Sequence, residues 1–406
     1  METVLPMNNK QTEHNPITDQ TKGTTFITGA TGLIGSHLAG EFLKKGRKLI
    51  VLIRSKGNLN AEQRFHSICE FMGLGIFDQS QIRIVEGSLD KPYFGVDRSV
   101  YNELCSETGQ IIHCAGNTTF SESMKTESER DNISGLKNVL DFARDSKCSW
   151  FHLISTIYTA AMKSGICEEE INESGIFTNF YEEVKCRGEK LTQKLCCKNG
   201  ISYTIIRPSI VVGNSLNGRT FRFNGLYYPL KALILLRDMF YDDLSNGKGE
   251  RANRLSISIK NGKVNLPLRL EYNVDEGINL IPIDFVVNTV HSIIKQPKDG
   301  FIYHIAAKNH VSIAELIEYT KKFFNVTGLT PVRTGFFSNE NKTPLECLFD
   351  KYIEPYLPYM KDSRRFSTKN TDKVINSHGI TCPAFDYNLF ASCMEFAVKH
   401  NWGKNI

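Results

Sequence analysis

From Thr24 onward, short runs of apolar residues alternate with stretches whose apolar positions recur at helical spacing. The runs are TTFIT (24–28), KLIVLIR (48–54), QIRIVEG (81–87), QIIHCAG (110–116), WFHLIST (150–156) and ISYTIIRPS (201–209). They are nearly continuous rather than alternating, the mark of strands buried on both faces, as in a parallel sheet covered by helices. Residues 23–215 are therefore expected to form an α/β, doubly wound parallel-sheet Rossmann domain. Beyond RPSIVVGNSLNGRT the alternation lapses, and residues 216–275 mix aromatic and polar segments. A strand-like INLIPIDFVV (278–287), a helical NTVHSIIKQ and GFIYHIAA (300–307) follow, and the rest reads mostly as helix between Pro-containing loops. A smaller, mostly helical C-terminal domain over 216–406 is expected to cap the carboxyl ends of the sheet and bind substrate. Part of 278–310 is expected to pack back on the first domain. The polar stretch 1–22 reads as a flexible tail.

Composition narrows the function classes. A net charge of +5 over 406 residues, with the basic residues spread along the chain, argues against nucleic acid and suits an anionic small molecule. No apolar run approaches the roughly 20 residues of a membrane span. The longest, LYYPLKALILL (226–236), contains Lys231. With no apolar signal core at the N-terminus, a cytoplasmic protein is expected, with peripheral membrane contact left open. The 11 cysteines are scattered, without a Cys-x-x-Cys pair, and read as free thiols rather than disulfides or metal ligands.

Directly after the first strand, Gly29, Gly32 and Gly35 are spaced G-x-x-G-x-x-G and open a helix. In a dinucleotide fold the first glycine permits the turn, the second lets the backbone approach a pyrophosphate, and the third lets helix and strand pack. Thr31, Leu33 and Ile34 fill the turn between them and belong to the same candidate site. The second strand ends in Arg54, where an NAD-preferring fold usually carries an acid. A guanidinium matches a 2′-phosphate, so NADPH is the expected cofactor. Arg64 is either a second cation for it or a solvated helix charge.

The fifth strand ends in Ser155-Thr156, and Tyr181 precedes Lys185 by one helical turn. A strand-tip hydroxyl, a phenol and an ammonium suit carbonyl reduction. Thr156 would hydrogen-bond the substrate oxygen and Tyr181 would protonate it. Lys185 would stabilise the phenolate and hold the nicotinamide ribose; a free phenol titrates near ~10 and needs a cation beside it. Tyr227 and Lys231 repeat the spacing without a strand-tip hydroxyl, so Tyr227 is expected at most to line a substrate pocket.

Together, Gly29-x-x-Gly32-x-x-Gly35, Ser155-Thr156 and Tyr181-x-x-x-Lys185 resemble an extended short-chain dehydrogenase/reductase. VLIRS, HCAGNTTF, DNISGLKNVL, FHLISTIY, RPSIVVGNSLNG and LIPIDFVV narrow the resemblance to the thioester reductase and fatty acyl-CoA reductase branch, over roughly 23–310. That branch includes reductase domains ending nonribosomal peptide synthetases and carboxylic acid reductases. The resemblance implies that Ala115, Gly116 and Ser155 lie along the cofactor and that Pro208 and Ser209 close over its nicotinamide side. It also implies that Asn132 steadies the central helix, although a helix cap would use the same residue. Where the family has Gly-Asp-Leu against the adenine, this chain has Gly87-Ser88-Leu89. The implied reaction is hydride transfer from NADPH to an acyl thioester carried by coenzyme A or by an acyl- or peptidyl-carrier protein, releasing an aldehyde and then, if a second hydride follows, an alcohol. No adenylation or carrier domain is recognisable, so the acyl group is expected to arrive from elsewhere. The alternative is the same fold acting on a sugar nucleotide, a sterol or a dihydroflavonol. The stretch 221–240 is apolar enough to line an acyl channel and equally fits an ordinary core.

Overall fold

The computed structural model describes residues 23–404 apart from 76–77, 121, 163–164, 174, 274–276 and 337–340. The expected tail over 1–22 lies outside the described residues. Seven strands, numbered along the chain, form the main sheet: β1 Thr24–Thr28, β2 Leu49–Ile53, β3 Ile82–Glu86, β4 Thr108–His113, β5 Trp150–Ile154, β6 Ser202–Pro208 and β7 Phe301–Ile305. All pair in parallel, in the order 3-2-1-4-5-6-7. The reason is visible strand by strand. Ile27, Val51 and Ile206 join the core on one face, while their neighbours Phe26, Ile50 and Ile205 join the core on the other. Both faces of each strand are apolar, so both must be covered. Helices Leu33–Lys44, Ala61–Met72 and Ile283–Lys295 cover one face. Helices Arg98–Glu107, Gly135–Ser146 and Phe180–Asn199 cover the other.

The strand order reverses between β1 and β4, which opens a crevice at their carboxyl ends. Over that edge sits a second unit with its own core. Helices Tyr227–Ser245, Ile313–Phe324, Pro344–Ile353 and Tyr387–Lys399 surround a three-stranded sheet of Val326–Arg333, Lys263–Tyr272 and Ser258–Lys260. The sequence reading missed this sheet: Lys263–Tyr272 buries alternate residues over its first half, as a strand covered on one face does, but Pro267 interrupts the run and its partner Val326–Arg333 lies far along the chain.

The chain crosses between the two units more than once. Leu280–Pro282 pairs with Ile210–Val212, and β7 adds to the edge of the main sheet. Farther on, Arg365–Phe366 pairs with Ile166–Cys167, and helix Lys369–Ser377 packs on β7 and on helix Ile283–Lys295. The C-terminal portion is thus tied to the sheet at two places. None of the 11 cysteines forms a disulfide. Among the described residues no helix is long and apolar enough to cross a membrane, and no cluster of His, Cys, Asp and Glu is suited to hold a metal ion.

Candidate active site

The glycine turn is set by close contact. Gly29 has φ +74°, and a Cβ on it would lie 2.5 Å from the Ala115 nitrogen. A Cβ on Gly35 would lie 2.3 Å from the Gly29 carbonyl oxygen. Both positions therefore require glycine for the backbone to approach itself. Gly32 differs: a Cβ there would meet only the Gly29 oxygen, at 3.1 Å. Gly32 is also the N-cap of helix Leu33–Lys44, and no side chain caps that helix start. The positive end of the helix dipole is left beside the turn without a side-chain acceptor.

Arg64 ties this turn to the end of β2. Its Nη1 donates to the Arg54 carbonyl and its Nη2 to Thr31 Oγ1 at 3.4 Å. Burial lowers the Arg64 pKa, and the Arg54 and Arg222 guanidiniums lower it further. Arg222 comes from the loop 213–226, on the far side of the crevice in sequence, and was not expected here. No carboxylate among the described residues forms an ion pair with Arg54, Arg64 or Arg222, so three cations gather near the end of β2 unneutralised.

After β3, Ser88 Oγ donates to Asp90 Oδ1 at 2.5 Å, and the Leu89 carbonyl accepts from Asn138 Nδ2 at 2.6 Å. A carboxylate thus lies two residues after Ser88, held by its hydroxyl. After β4, Asn132 grips the loop from below. Its Oδ1 accepts from the Asn117 nitrogen at 3.2 Å and its Nδ2 donates to the Asn117 oxygen at 3.0 Å. Asn132 is inside a helix, on the π turn Arg130–Ser134, so it is not a cap. A Cβ on Gly116 would lie 2.8 Å from Asn132 Oδ1 and 3.6 Å from Lys185 Nζ, so any side chain there would block their convergence.

Thr156 is extended (φ −152°, ψ 150°) just beyond β5, with its hydroxyl against the phenol of Tyr181. Helix Phe180–Asn199 brings Tyr181 there; Asn179 caps it by accepting from the Glu182 nitrogen at 3.1 Å. Burial raises the Tyr181 pKa, the Thr156 hydroxyl opposes this, and the carboxylates of Glu182 and Glu189 raise it again. The phenol therefore stays neutral and a proton donor near pH 7. Lys185 turns elsewhere: its Nζ donates to the Ile154 carbonyl at 3.0 Å. Burial lowers its pKa to about 8, against the opposing effects of Glu189 and Cys114. Its ammonium is aimed at the Gly116 and Ile154 backbone rather than at the phenol.

Two serines expected at the cofactor are committed within the protein. Ser155 Oγ donates to Glu189 Oε1 at 2.5 Å, and Ser209 Oγ to the Asn279 carbonyl at 2.6 Å. Both hydroxyl protons are spent, so these oxygens can only accept from a ligand, beside the backbone that runs to Pro208 at the end of β6. Glu189 is held by Arg207, fully buried, through Nε at 2.9 Å and Nη2 at 2.6 Å. His304 Nδ1 donates to the Ser367 carbonyl at 2.9 Å, which leaves Nε2 to accept from Arg207 Nη1 at 3.1 Å.

Beyond Tyr181 opens an apolar cavity, part of it continuous with solvent. An aromatic collar of Phe120, Tyr158, Tyr181, Tyr356 and Tyr359 lines it, with Phe120 centred 5.5 Å from Tyr181 and 5.7 Å from Tyr359. Helix Tyr227–Ser245 contributes Pro229, Leu230 and Leu233, so the stretch 221–240 serves both as core and as cavity wall. Tyr227 does not line it. Its hydroxyl is buried and accepts from the Gly213 nitrogen at 2.9 Å, so the second Tyr-x-x-x-Lys is a core feature.

Nothing local in the chain signals the network under the collar. Tyr359 donates to Glu182 Oε1 at 2.8 Å and accepts from Asn179 Nδ2 at 2.8 Å. Arg364 reaches both Glu182 oxygens at 3.3 Å and pairs with Asp362 at 2.8 Å. Phe120 was within reach, inside the quoted HCAGNTTF, but nothing local marks Tyr359 or Arg364.

Known proteins resemble this chain in sequence and in shape. The large subunit of L-2-aminoadipate reductase from Penicillium chrysogenum is 28% identical over 234 residues, 52% of this chain and 16% of that protein. A nonribosomal peptide synthetase of Aspergillus flavus is 25% identical over 211 residues, 49% of this chain and 20% of that protein. The chain thus spans a fifth or less of these relatives' lengths. In shape, the terminal R domain of the myxalamid PKS-NRPS pathway has a TM-score of 0.71 at 19% identity, over 94% of this chain and 92% of that one. An archaeal thiolation-reductase di-domain has a TM-score of 0.70 at 16% identity, over 94% of this chain and 76% of that one. The male sterility protein family model matches residues 27–290, and the chain belongs to that family of extended short-chain dehydrogenases/reductases.

Proposed function

We propose that this chain reduces an acyl thioester with NADPH. The observation that carries the reading is the place of Tyr181: its phenol meets the Thr156 hydroxyl on one side and an apolar cavity on the other. Relatives named as a nonribosomal peptide synthetase and an aminoadipate reductase support the reaction class.

The dinucleotide fits the residues present. Gly32, where a Cβ would meet only the Gly29 oxygen, and the uncapped helix start form a cradle that a side chain would fill. Gly29, Thr31, Gly32, Leu33, Ile34 and Gly35 would hold the pyrophosphate, and Leu89, Ala115 and Gly116 the adenosine and nicotinamide sides. Arg54 and Arg64, with Arg222, would take the 2′-phosphate, which favours NADPH over NADH. When bound, the nicotinamide supplies a hydride to the acyl carbon.

The chain's own groups manage the oxygen. As the carbonyl becomes an oxyanion, Thr156 and the neutral Tyr181 donate hydrogen bonds to it, a stabilisation made only in the transition state. Lys185, anchored on the Ile154 carbonyl, would hold the ribose hydroxyls rather than ionise the phenol. The carbon–sulfur bond then breaks, the sulfur leaves as a thiol after taking a proton, and the aldehyde carbonyl re-forms. The thioester reaches the site on coenzyme A or on a carrier protein's phosphopantetheine arm.

NADPH consumption by the purified chain with acyl-coenzyme A and acyl-carrier thioesters tests this reading, with the aldehyde or alcohol identified in the product. Consumption with sugar nucleotides or sterols in place of thioesters would replace it with the alternative.

A further inference from the structure

We infer that Glu189 is a positioning residue of this site: through Ser155 and Arg207 it locks the strand tip 154–156 onto the helix of Tyr181 and Lys185, and it sets one negative charge beside the Lys185 ammonium. The inference rests on the proposed reading of the site, in which Lys185 holds the cofactor's ribose, and adds a residue to it. It starts from the pairing of two short stretches. Tyr181, Lys185 and Glu189 follow one another at four-residue steps on helix Phe180–Asn199 and so share one face. Each meets one of three consecutive residues at the end of β5. Tyr181 meets the Thr156 hydroxyl, Lys185 Nζ donates to the Ile154 carbonyl at 3.0 Å, and Glu189 Oε1 accepts from Ser155 Oγ at 2.5 Å. Of the three contacts, the one made by Glu189 lies outside the reacting groups, and it holds the residue between the other two. The Ser155 nitrogen donates to the Ile206 carbonyl at 2.7 Å, so the same residue is also fixed to β6.

Glu189 is more than one half of a structural ion pair. It is fully buried, as is Arg207, which grips it through Nε at 2.9 Å and Nη2 at 2.6 Å. Arg207 Nη1 donates to His304 Nε2 at 3.1 Å, and burial together with the Arg207 charge keeps that imidazole neutral, its pKa lowered to about 3. A buried pair of this kind adds little net stability over apolar residues of the same volume, because desolvation offsets the attraction. What the pair adds is direction. The guanidinium fork fixes the plane of the carboxylate, with Oε1 turned to Ser155 as well.

The charge acts on Lys185. Cys114 and His113, from the end of β4, face its ammonium, and Tyr181 lies one helical turn before it. All three are neutral near pH 7: burial raises the thiol to about 12, lowers the imidazole to about 3 and raises the phenol. Cys186, which the Glu189 charge also reaches, is raised to about 11, again chiefly by burial. Among the described residues, Glu189 is thus the carboxylate that opposes the burial of the Lys185 ammonium.

The test follows NADPH binding by its fluorescence in the full chain, across the pH range in which Lys185 titrates, with thioester turnover and melting temperature beside it. In the native chain affinity should fall above about 8, as the ammonium is lost. Glu189→Gln keeps the shape and removes the charge, and should move that limb to lower pH by about one unit or more. Lys185→Arg combined with Glu189→Gln should show no such limb, because a guanidinium does not titrate there. Ser155→Ala keeps the Glu189–Arg207 pair and removes only the tie, so NADPH binding at neutral pH should weaken about three- to tenfold with the limb unmoved. A native chain without the limb, or a folded Glu189→Gln that leaves it in place, overturns the inference. If Glu189→Gln melts below the assay temperature, Ser155→Ala decides, and native affinity in that variant overturns the inference. A limb that shifts as expected in a chain that reduces no thioester supports the role of Glu189 and sinks the reductase reading instead.

Discussion

The phenol of Tyr359 donates to Glu182 Oε1 at 2.8 Å, which joins the wall of the apolar cavity to the residue following Tyr181. Arg364 holds both oxygens of the same carboxylate and pairs with Asp362, so a segment nearly at the chain's end fixes the first turn of the helix that carries the phenol. The cavity wall and the proton donor therefore move as one unit. Glu182→Ala leaves buried Arg364 with half its acidic partners and is expected to cost about 3–5 kcal/mol. Tyr359→Phe removes one hydrogen bond and is expected to cost about 1–2 kcal/mol. Denaturant unfolding of the two variants checks the order; equal and negligible losses would show that the network does not hold the two units together.

Lys185 sets a limb of the pH profile. Burial brings its pKa from 10.5 in the unfolded chain down to about 8 in the fold. Between those values the unfolded chain holds more protons at this residue, so its contribution to stability rises with pH across that window and is unfavourable below it. Activity follows the opposite course. A ribose-holding ammonium is lost above about 8, so kcat/KM for the cofactor should fall there. Lys185→Arg, which stays charged, should move that limb upward by more than a pH unit even if its rate is lower. A limb that stays in place in Lys185→Arg would assign it to another group.

The cluster Arg54, Arg64 and Arg222 makes cofactor preference measurable. Arg54→Ala is expected to raise KM for NADPH by roughly tenfold or more while leaving KM for NADH nearly unchanged, since only one of the two carries the 2′-phosphate. Equal effects on both cofactors would show that the guanidinium acts on something other than the phosphate.

Gly32 and Gly35 separate ligand approach from packing. A methyl at Gly35 would sit 2.3 Å from the Gly29 oxygen, whereas one at Gly32 would sit 3.1 Å from it and meet nothing else. Gly35→Ala should lower the melting temperature by several degrees, for a loss of about 1–3 kcal/mol. Gly32→Ala should melt close to the native chain and bind NADPH at least about tenfold more weakly. The reverse pattern would mean that Gly32 serves the turn and not a ligand.

What the sequence disclosed follows a physical line. Strands such as Leu49–Ile53, buried at all five positions, announce themselves as unbroken apolar runs. The glycine turn, Thr156, Tyr181 and Lys185 lie in local motifs whose spacing already implies a shared face or edge. Partners far apart in the chain gave no such signal. Glu182 meets Tyr359 across 177 positions and Arg364 across 182, and no periodicity connects them. The same holds for Ser155, read as a strand-tip hydroxyl, and Ser209, put by the resemblance over the nicotinamide: each is claimed by a group, Glu189 or Asn279, that only the fold brings near. Tyr227 shows the converse, a repeated motif that the fold buries as core.

Thioester reduction by Tyr181 stands or falls on one comparison: product formation from decanoyl-coenzyme A and NADPH by the native chain and by Tyr181→Phe, with NADPH binding measured alongside. Decanal or decanol should form with the native chain, and the rate should drop by about 10²–10⁴ in the variant with cofactor binding intact. An unchanged rate in Tyr181→Phe, or a native chain that reduces ketones and aldehydes but no thioester, would contradict the proposed reaction.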